Sequence, residues 1–208
     1  MIITYFGKQF FKINQGEMVL AFNPVSKDSK SGISAKFGAD IALVTTNHPD
    51  YNGVDQLSYG ERMPFIVSGP GDYEVKSIFI NGGMSEFQLN DKKYINTVYS
   101  LTIDGINIVF LGALSNANLS KEARGLAESP DILFVPIGGE SLLSAKDAAK
   151  FSASLEAKLV IPMDYDKNSL QIFLKEMGEE NAEVVDKITL KRKDLDGSEG
   201  KVVVLKAV

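Results

Sequence analysis

A mixed α/β fold, two β-sheets with helices outside them, is what the sequence predicts. Three observations carry that expectation. The first half is a succession of short apolar-alternating runs separated by turn residues. The second half alternates apolar runs with helical patterns. No linker and no low-complexity tract divides the 208 residues into independent domains.

In chain order, "IITYFG", "QFFKIN" and "MVLAFN" read as strands, with a turn at "NQGE" (14–17). "SKDSKSG" (26–32) is a polar loop. "DIALVT" is continuously apolar, the pattern of a strand buried on both faces. "PFIVSGPGDYEVKSIFING" gives two more strands around a Gly-Pro-Gly turn. "NTVYSLTID" and "INIVFLG" are joined by Asp104-Gly105, a strong hairpin signal. "SKEARGLAES" (120–129) starts a short helix with Ser120 as its N-cap. "DILFVPIGG" is a buried strand that runs into a glycine loop. Ser144, with Asp147 three residues on, caps a helix over 144–157. "KLVIPMDYD" is a strand ending in a polar loop, and "NSLQIFLKEMG" (168–178) is a helix stopped by glycine. "KITLKRK" and "KVVVLKAV", separated by the turn-rich "DLDGSEG", read as a C-terminal hairpin.

Composition narrows function before any motif does. The net charge is −5 and the pI about 5.0. Phosphate binding needs a basic face, so nucleic acid is not an expected partner. The short basic cluster "LKRKDL" (190–195) reads as a solvated strand or hairpin face. With no cysteine, disulfides, thiolate zinc sites and a cysteine nucleophile are all excluded. "MIITYFGKQFFKI" alternates like a strand and lacks a signal-peptide core. No apolar run approaches the ~20 residues of a membrane span. A cytoplasmic protein with no membrane partner is the expectation, and without secretion the sequon-like "NLS" (118–120) carries no meaning.

Three apolar strands end at polar or glycine loops: "DIALVT" at "TNHPDYNG", "INIVFL" at "GALSNAN", and "AKLVIP" at "MDYD". If the strands share direction, their ends form one rim, the usual ligand crevice of a layered α/β protein. The first of these loops holds His48, the only histidine in the chain.

On these segments the chain resembles the metallo-β-lactamase fold superfamily, in particular its small bacterial hydrolase-like members. The resemblance covers nearly the whole length. The signature Thr-His-x-His-x-Asp-His stands here as Thr45-Thr46-Asn47-His48-Pro49-Asp50-Tyr51. "INIVFLGALS" lies where members have a strand followed by Gly-Asp-Leu, and "KLVIPMDYD" where they end in Pro-Met-His-Tyr. The resemblance implies a four-layer αββα sandwich, a single domain over 1–208 built from two similar halves, roughly 1–105 and 106–208. It also implies two metal ions, usually zinc and sometimes iron or manganese, that activate a bridging water for hydrolysis.

Carried over residue by residue, the metal ligands are largely missing. Thr46 stands at the first histidine, Tyr51 at the last histidine of the loop, Ala113 at the bridging aspartate and Asp164 at the final histidine. Only His48 and Asp50 are kept, and the mid-chain histidine has no candidate. Losing even a residue that only hydrogen-bonds to a ligand costs about 10–100-fold in metal affinity, so three lost direct ligands cost at least roughly 10³-fold. The resemblance therefore implies a member with a degenerate metal site and no standard dinuclear activity, one that binds a small molecule or a protein or acts as a scaffold. An oligomer is compatible with it. Either no cofactor is expected or a single weakly bound zinc, iron or manganese ion. The alternative is a divergent hydrolase of ester, lactone or phosphodiester bonds, with one metal on His48, Asp50 and Asp164 and those first two residues as catalytic candidates.

Other polar residues fill out the expected pocket. Asp72 or Glu74 could add an oxygen, and Gly112 ends the central strand. Tyr51 is expected to fill space left by a histidine and a metal. Lys8, after Gly7 where members often carry a histidine, is a candidate ion-pair partner for Asp164, since a carboxylate in a pocket needs a partner or a raised pKa. "SGPGDYEV" opens no helix and is a sharp strand connection, not a phosphate cradle. "PIGGES" could offer backbone amides to an anion at the helix beginning near 144.

Overall fold

The computed structural model describes residues 1–61 and 63–208. In chain order the strands and helices are β1 (Ile2–Gly7), β2 (Phe10–Gln15), β3 (Met18–Phe22), β4 (Ile41–Val44), β5 (Phe65–Ser68), β6 (Gly71–Val75), β7 (Ile78–Leu89), β8 (Lys92–Ile103), β9 (Ile106–Phe110), α1 (Lys121–Leu126), β10 (Ile132–Pro136), α2 (Ala145–Ser154), β11 (Leu159–Met163), α3 (Lys167–Met177), β12 (Glu183–Val185), β13 (Lys187–Thr189) and β14 (Lys201–Leu205). Short 3₁₀ turns lie at Val54–Gln56 and Arg192–Leu195.

The strands make two sheets, ordered β13-β1-β2-β3-β4-β5 and β12-β14-β11-β10-β9-β8-β7-β6. They face each other across a core to which Phe11, Phe22 and Leu43 contribute from one side and Tyr99, Phe110 and Phe134 from the other. The rings of Phe11 and Phe134 meet edge to face, 4.8 Å apart. The continuously apolar runs are the doubly buried strands. In β10, Ile132 and Phe134 join the core between the sheets, while Leu133 and Val135 pack beneath the helices. Parallel ladders join β9, β10, β11 and β14, so no face of this part of the sheet meets water and alternation is absent.

The outer layers differ. On the second sheet, α2 and α3 bury Phe151 and Phe173. Here α1 sits over β7 at Gly83, where a Cβ would come within 2.7 Å of the Ala123 backbone. The caps are those the sequence predicts at Ser120 and Ser144; α3 begins one residue earlier than read, with Asp166 as its N-cap, and ends at Gly178 with φ 71°. On the first sheet, irregular chain over 24–40 and the turn at Val54–Gln56 do the covering. There Phe6, Phe10 and Phe37 stack on one another and Val25, Ala39 and Leu57 are buried. The Ser-, Gly- and Lys-rich stretch after residue 26 has no 3.6-residue apolar period, which is why this layer is loop and not helix.

Two local expectations are corrected. Residues 64–82 hold three strands, because the Gly-Pro-Gly turn carries the chain from the first sheet (β5) to the second (β6, β7). The C-terminal hairpin does not form. Instead β13 pairs antiparallel with β1, while β14 inserts between β12 and β11 in the other sheet. The residues between them cross the open end of the sandwich, with Leu190 and Leu195 buried in the core. In "LKRKDL" the two leucines plug the core while the charged residues 191–194 are exposed, so the basic face is solvated but lies on a 3₁₀ turn and not on a hairpin. The boundary near residue 105 does not coincide with the boundary between sheets, since β6–β8 belong to the second sheet and β13 to the first. Asp104 and Gly105, at φ 52° and 72°, make the two-residue turn the sequence indicates.

Candidate functional site

The loops after β4 and β11 and the turn between β1 and β2 meet at one rim, beside the long β7–β8 hairpin. A cleft of about 500 Å³ opens there, with Lys8, His48, Asp50, Tyr51, Phe87 and Asp164 in its walls. The backbone holds this junction together. The Asp164 N–H donates to the Lys8 carbonyl at 2.7 Å, and the Tyr5 hydroxyl donates to the same carbonyl at 2.8 Å. Lys8, Asn23 and Asp164 all sit in the left-handed region, at φ 53°, 42° and 52°. Such backbone is costly for residues other than glycine and collects at functional rims.

Asp164 is the hub. Its side chain is 10% exposed. Oδ2 accepts from the Tyr51 hydroxyl at 2.9 Å and from Gln9 Nε2 at 3.3 Å, and Oδ1 lies 3.5 Å from Lys8 Nζ. Burial raises the Asp164 pKa above the ordinary carboxylate value, against the pull of Lys8, Tyr51 and Gln9. Lys8 Nζ also lies 3.5 Å from Asp50 Oδ2. Burial works to lower the Lys8 pKa, but the Asp164 and Asp50 carboxylates outweigh it and raise it. Burial likewise pushes the Tyr51 hydroxyl up, so it serves as a hydrogen-bond donor and not as a phenolate.

His48 and Asp50 brace the loop between them. The Asp50 N–H donates to His48 Nδ1 at 3.2 Å, and Asp50 Oδ1 accepts from Ser29 Oγ at 2.5 Å. The His48 ring is half-buried among the rings of Tyr51, Phe87 and Tyr94, 5.7–6.4 Å away. Tyr51 and Phe87 close over Ala113 in a small apolar nook.

Beneath the cleft lies a buried polar network. Thr46 Oγ1 donates to Asn96 Oδ1 at 3.1 Å, and the Ala113 N–H donates to the same oxygen at 2.8 Å. Asn96 Nδ2 donates to Ser85 Oγ and to the Leu111 carbonyl. A second branch runs from Asp164 through Gln9 to Asn23 and Thr45. Gly112 lies under the cleft and not in its wall. At φ 63° a Cβ there would stand 2.5 Å from Asn96 Oδ1 and 2.6 Å from Thr45 Oγ1. Asp72 is outside the site: it is exposed on the edge strand β6 and accepts from Asn81.

The donor set does not fit the dinuclear metal centre of the superfamily. Thr46, Tyr51 and Asp164 are committed to hydrogen bonds, Ala113 has no donor, and an ammonium already stands between the two carboxylates. Among the described residues, no group of three or more His, Asp or Glu side chains is placed to hold a metal ion, so His48, Asp50 and Asp164 are not gathered as one such group.

Sequence reading missed Gln9, Asn23, Asn96 and Ser29. The signal was faint: Asn23 is an amide just past the end of β3 and Asn96 one inside β8, and both are fully buried. A buried amide must be bonded, but its partners come from distant strands.

Fold and site define a class: two stacked sheets with helices outside, and a cleft at the strand ends where a signature loop meets two other loops. Residues 2–164 match the beta-lactamase superfamily domain, and the chain belongs to that family. Among its relatives is a metal-dependent hydrolase of Listeria innocua, 26% identical over 200 residues that cover 80% of this chain and 86% of the relative. Another is a metal-dependent hydrolase of Geobacillus thermodenitrificans, 24% identical over 195 residues, with the same coverage of 80% and 86%. Among solved structures, a proposed zinc-dependent hydrolase of the metallo-β-lactamase superfamily from Thermotoga maritima superposes with a TM-score of 0.76 at 25% identity, covering 98% of this chain and 97% of that one.

Proposed function

We propose that this protein is a non-catalytic member of the metallo-β-lactamase-fold hydrolase family, one that uses the strand-end cleft to bind a small molecule or a segment of a partner protein. One observation carries the reading. The side chains at the positions of the superfamily's metal ligands are engaged in other work: Thr46 bonds Asn96, Tyr51 bonds Asp164, and the Ala113 methyl packs against aromatic rings. The cleft has the size of a ligand site. Its walls combine apolar groups (Ile33, Phe87, Leu89, Leu142) with the charged Lys8 and Asp50, which suits a ligand with both an apolar body and a polar end. No helix among the described residues is long and apolar enough to cross a membrane.

Elemental analysis of untagged protein grown with zinc, iron and manganese, joined to hydrolysis assays on ester, lactone and phosphodiester substrates, tests this reading. The expected result is no stoichiometric metal and no turnover above background. Stoichiometric metal, with turnover abolished by His48→Ala or Asp50→Ala, overturns it in favour of a divergent hydrolase with one metal at His48, Asp50 and Asp164. A companion variant carries Thr46→His, Tyr51→His, Ala113→Asp and Asp164→His together. Return of metal binding in it would show that the strand ends keep the spacing of the superfamily.

A further inference from the structure

We propose that β5 is a dimerisation edge: it pairs antiparallel with β5 of a second copy of this chain, and apolar side chains at its two ends close over each other across a two-fold axis. The inference does not depend on what the cleft binds.

β5 ends the six-stranded sheet and β6 ends the eight-stranded sheet on the same side, because the turn over 68–71 carries the chain directly from one to the other. Among the described residues the two sheets have four edge strands. Three carry exposed charges: Asp72 and Glu74 on β6, Glu183 on β12 and Lys187 on β13. Charge along an edge discourages pairing with another chain. β5, Phe65-Ile66-Val67-Ser68, has neither charge nor proline, and its ladder runs on one side only, parallel to β4. An uncharged, half-paired edge is a template for a further strand.

Large apolar side chains stand exposed at both ends of this strand. At its start Tyr59, Met63, Phe65 and Ile66 are 78%, 71%, 53% and 48% exposed. The chain that carries the first two springs from this edge. It leaves the sheet at Leu57, whose carbonyl accepts from the Ala39 N–H, and returns at Phe65, whose N–H donates to the Asp40 carbonyl. At the other end, Ile95 lines a hollow of about 250 Å³ with Ser68, Gly69 and Pro70. Met84 is the diagonal neighbour of Ile95, since Met84 lies opposite Thr97 and Glu86 opposite Ile95 in the β7–β8 ladder. Met84 and Ile95 are 56% and 59% exposed. At about 200 Å² for a large side chain, these six residues expose roughly 700 Å². That approaches the ~800 Å² that each partner contributes to a standard interface.

The arrangement favours a second copy over another partner. An antiparallel mate reverses the strand, so the end with Tyr59 and Met63 on one copy meets the end with Met84 and Ile95 on the other. Both ends are apolar, and the surface is therefore complementary to itself about a two-fold axis, as an isologous interface requires.

Sedimentation equilibrium of the full chain over about 1–100 µM tests the inference. A species of twice 22.7 kDa is expected at the upper concentrations. Ile66→Lys and Ile95→Lys each put a charge into the interface, and each should weaken association at least about 30-fold with an unchanged circular dichroism spectrum. Val184→Lys puts the same charge on the edge strand β12, at a residue 50% exposed, and should dimerise as wild type does. Amide exchange within β5 should slow as protein concentration rises, which reads the backbone pairing itself. A wild type still monomeric at about 100 µM overturns the inference. So does a dimer indifferent to both lysines, a dimer lost equally in Val184→Lys, or β5 exchange independent of concentration. If one lysine variant fails to fold, the other and the exchange measurement decide.

Discussion

The two ends of the eight-stranded sheet handle a buried aspartate in opposite ways. Asp131, just before β10, is 5% exposed and sits at the end that the segment around Leu190 and Leu195 crosses. Its Oδ1 takes Lys158 Nζ at 2.8 Å, and its Oδ2 takes the Arg192 guanidinium and the Asn107 N–H. Burial pushes its pKa up, but Lys158, the Asn107 amide and Arg192 together hold it below the ordinary carboxylate value. Asp164, just after β11, shares a single ammonium with Asp50, and there burial wins. At one end two cations serve one carboxylate; at the other, one cation serves two. The first is a staple between the sheet and the crossing segment. The second lines the strand-end cleft, where two carboxylates share one ammonium.

The sharpest way to break the cleft end is not at a charge. Gly112→Ala forces a Cβ into Asn96 and Thr45 at a left-handed position. It should cost about 3–5 kcal/mol or prevent folding altogether, as read from urea denaturation. Asp131→Asn comes next. It leaves Lys158 and Arg192 without their charge partner and should cost about 2–4 kcal/mol in the same measurement. Asp164→Asn should cost about 1 kcal/mol or less, because the neutral amide relieves the burial that raises the carboxylate's pKa. An Asp164→Asn loss equal to that of Asp131→Asn would erase the distinction between the two ends.

Acid unfolding sharpens the same comparison. The folded pKa of Asp131 is lowered, so its stabilisation is present above the ordinary value of 3.8 and is lost as pH falls through the depressed folded value. The folded pKa of Asp164 is raised, so its burial costs stability above that raised value, and the cost is relieved as pH falls through it. Urea midpoints followed from about pH 7 to pH 3 should therefore show a shallower acid loss in Asp131→Asn than in wild type, and a steeper one in Asp164→Asn. The smallest effect belongs to Asp72→Ala. Exposed on an edge strand and accepting from Asn81, it should change stability by no more than about 0.5 kcal/mol.

Local patterns carried much of this molecule on their own. Continuous apolar runs mark β4, β10 and β11 because doubly buried strands exclude polar residues from both faces. Ser120, Ser144, Asp104-Gly105 and Gly178 mark their caps and turns because those geometries are short-range. The departure from the superfamily signature was legible too, as a matter of residue identity at Thr46, Tyr51 and Ala113. The contacts that define the site depend on how distant segments meet. Lys8 reaches Asp164 across 156 positions of sequence (164 minus 8), and Asn96 joins Thr46 to Ala113 from a third strand. The C-terminal strands separated into different sheets because Leu190 and Leu195 bury better in the mouth of the core than on a hairpin. Sequence determines which residues prefer strand, turn or burial, since those preferences act over a few residues. Only the tertiary structure decides which carboxylate receives which cation, because that choice is made by loops that meet after the sheets have stacked.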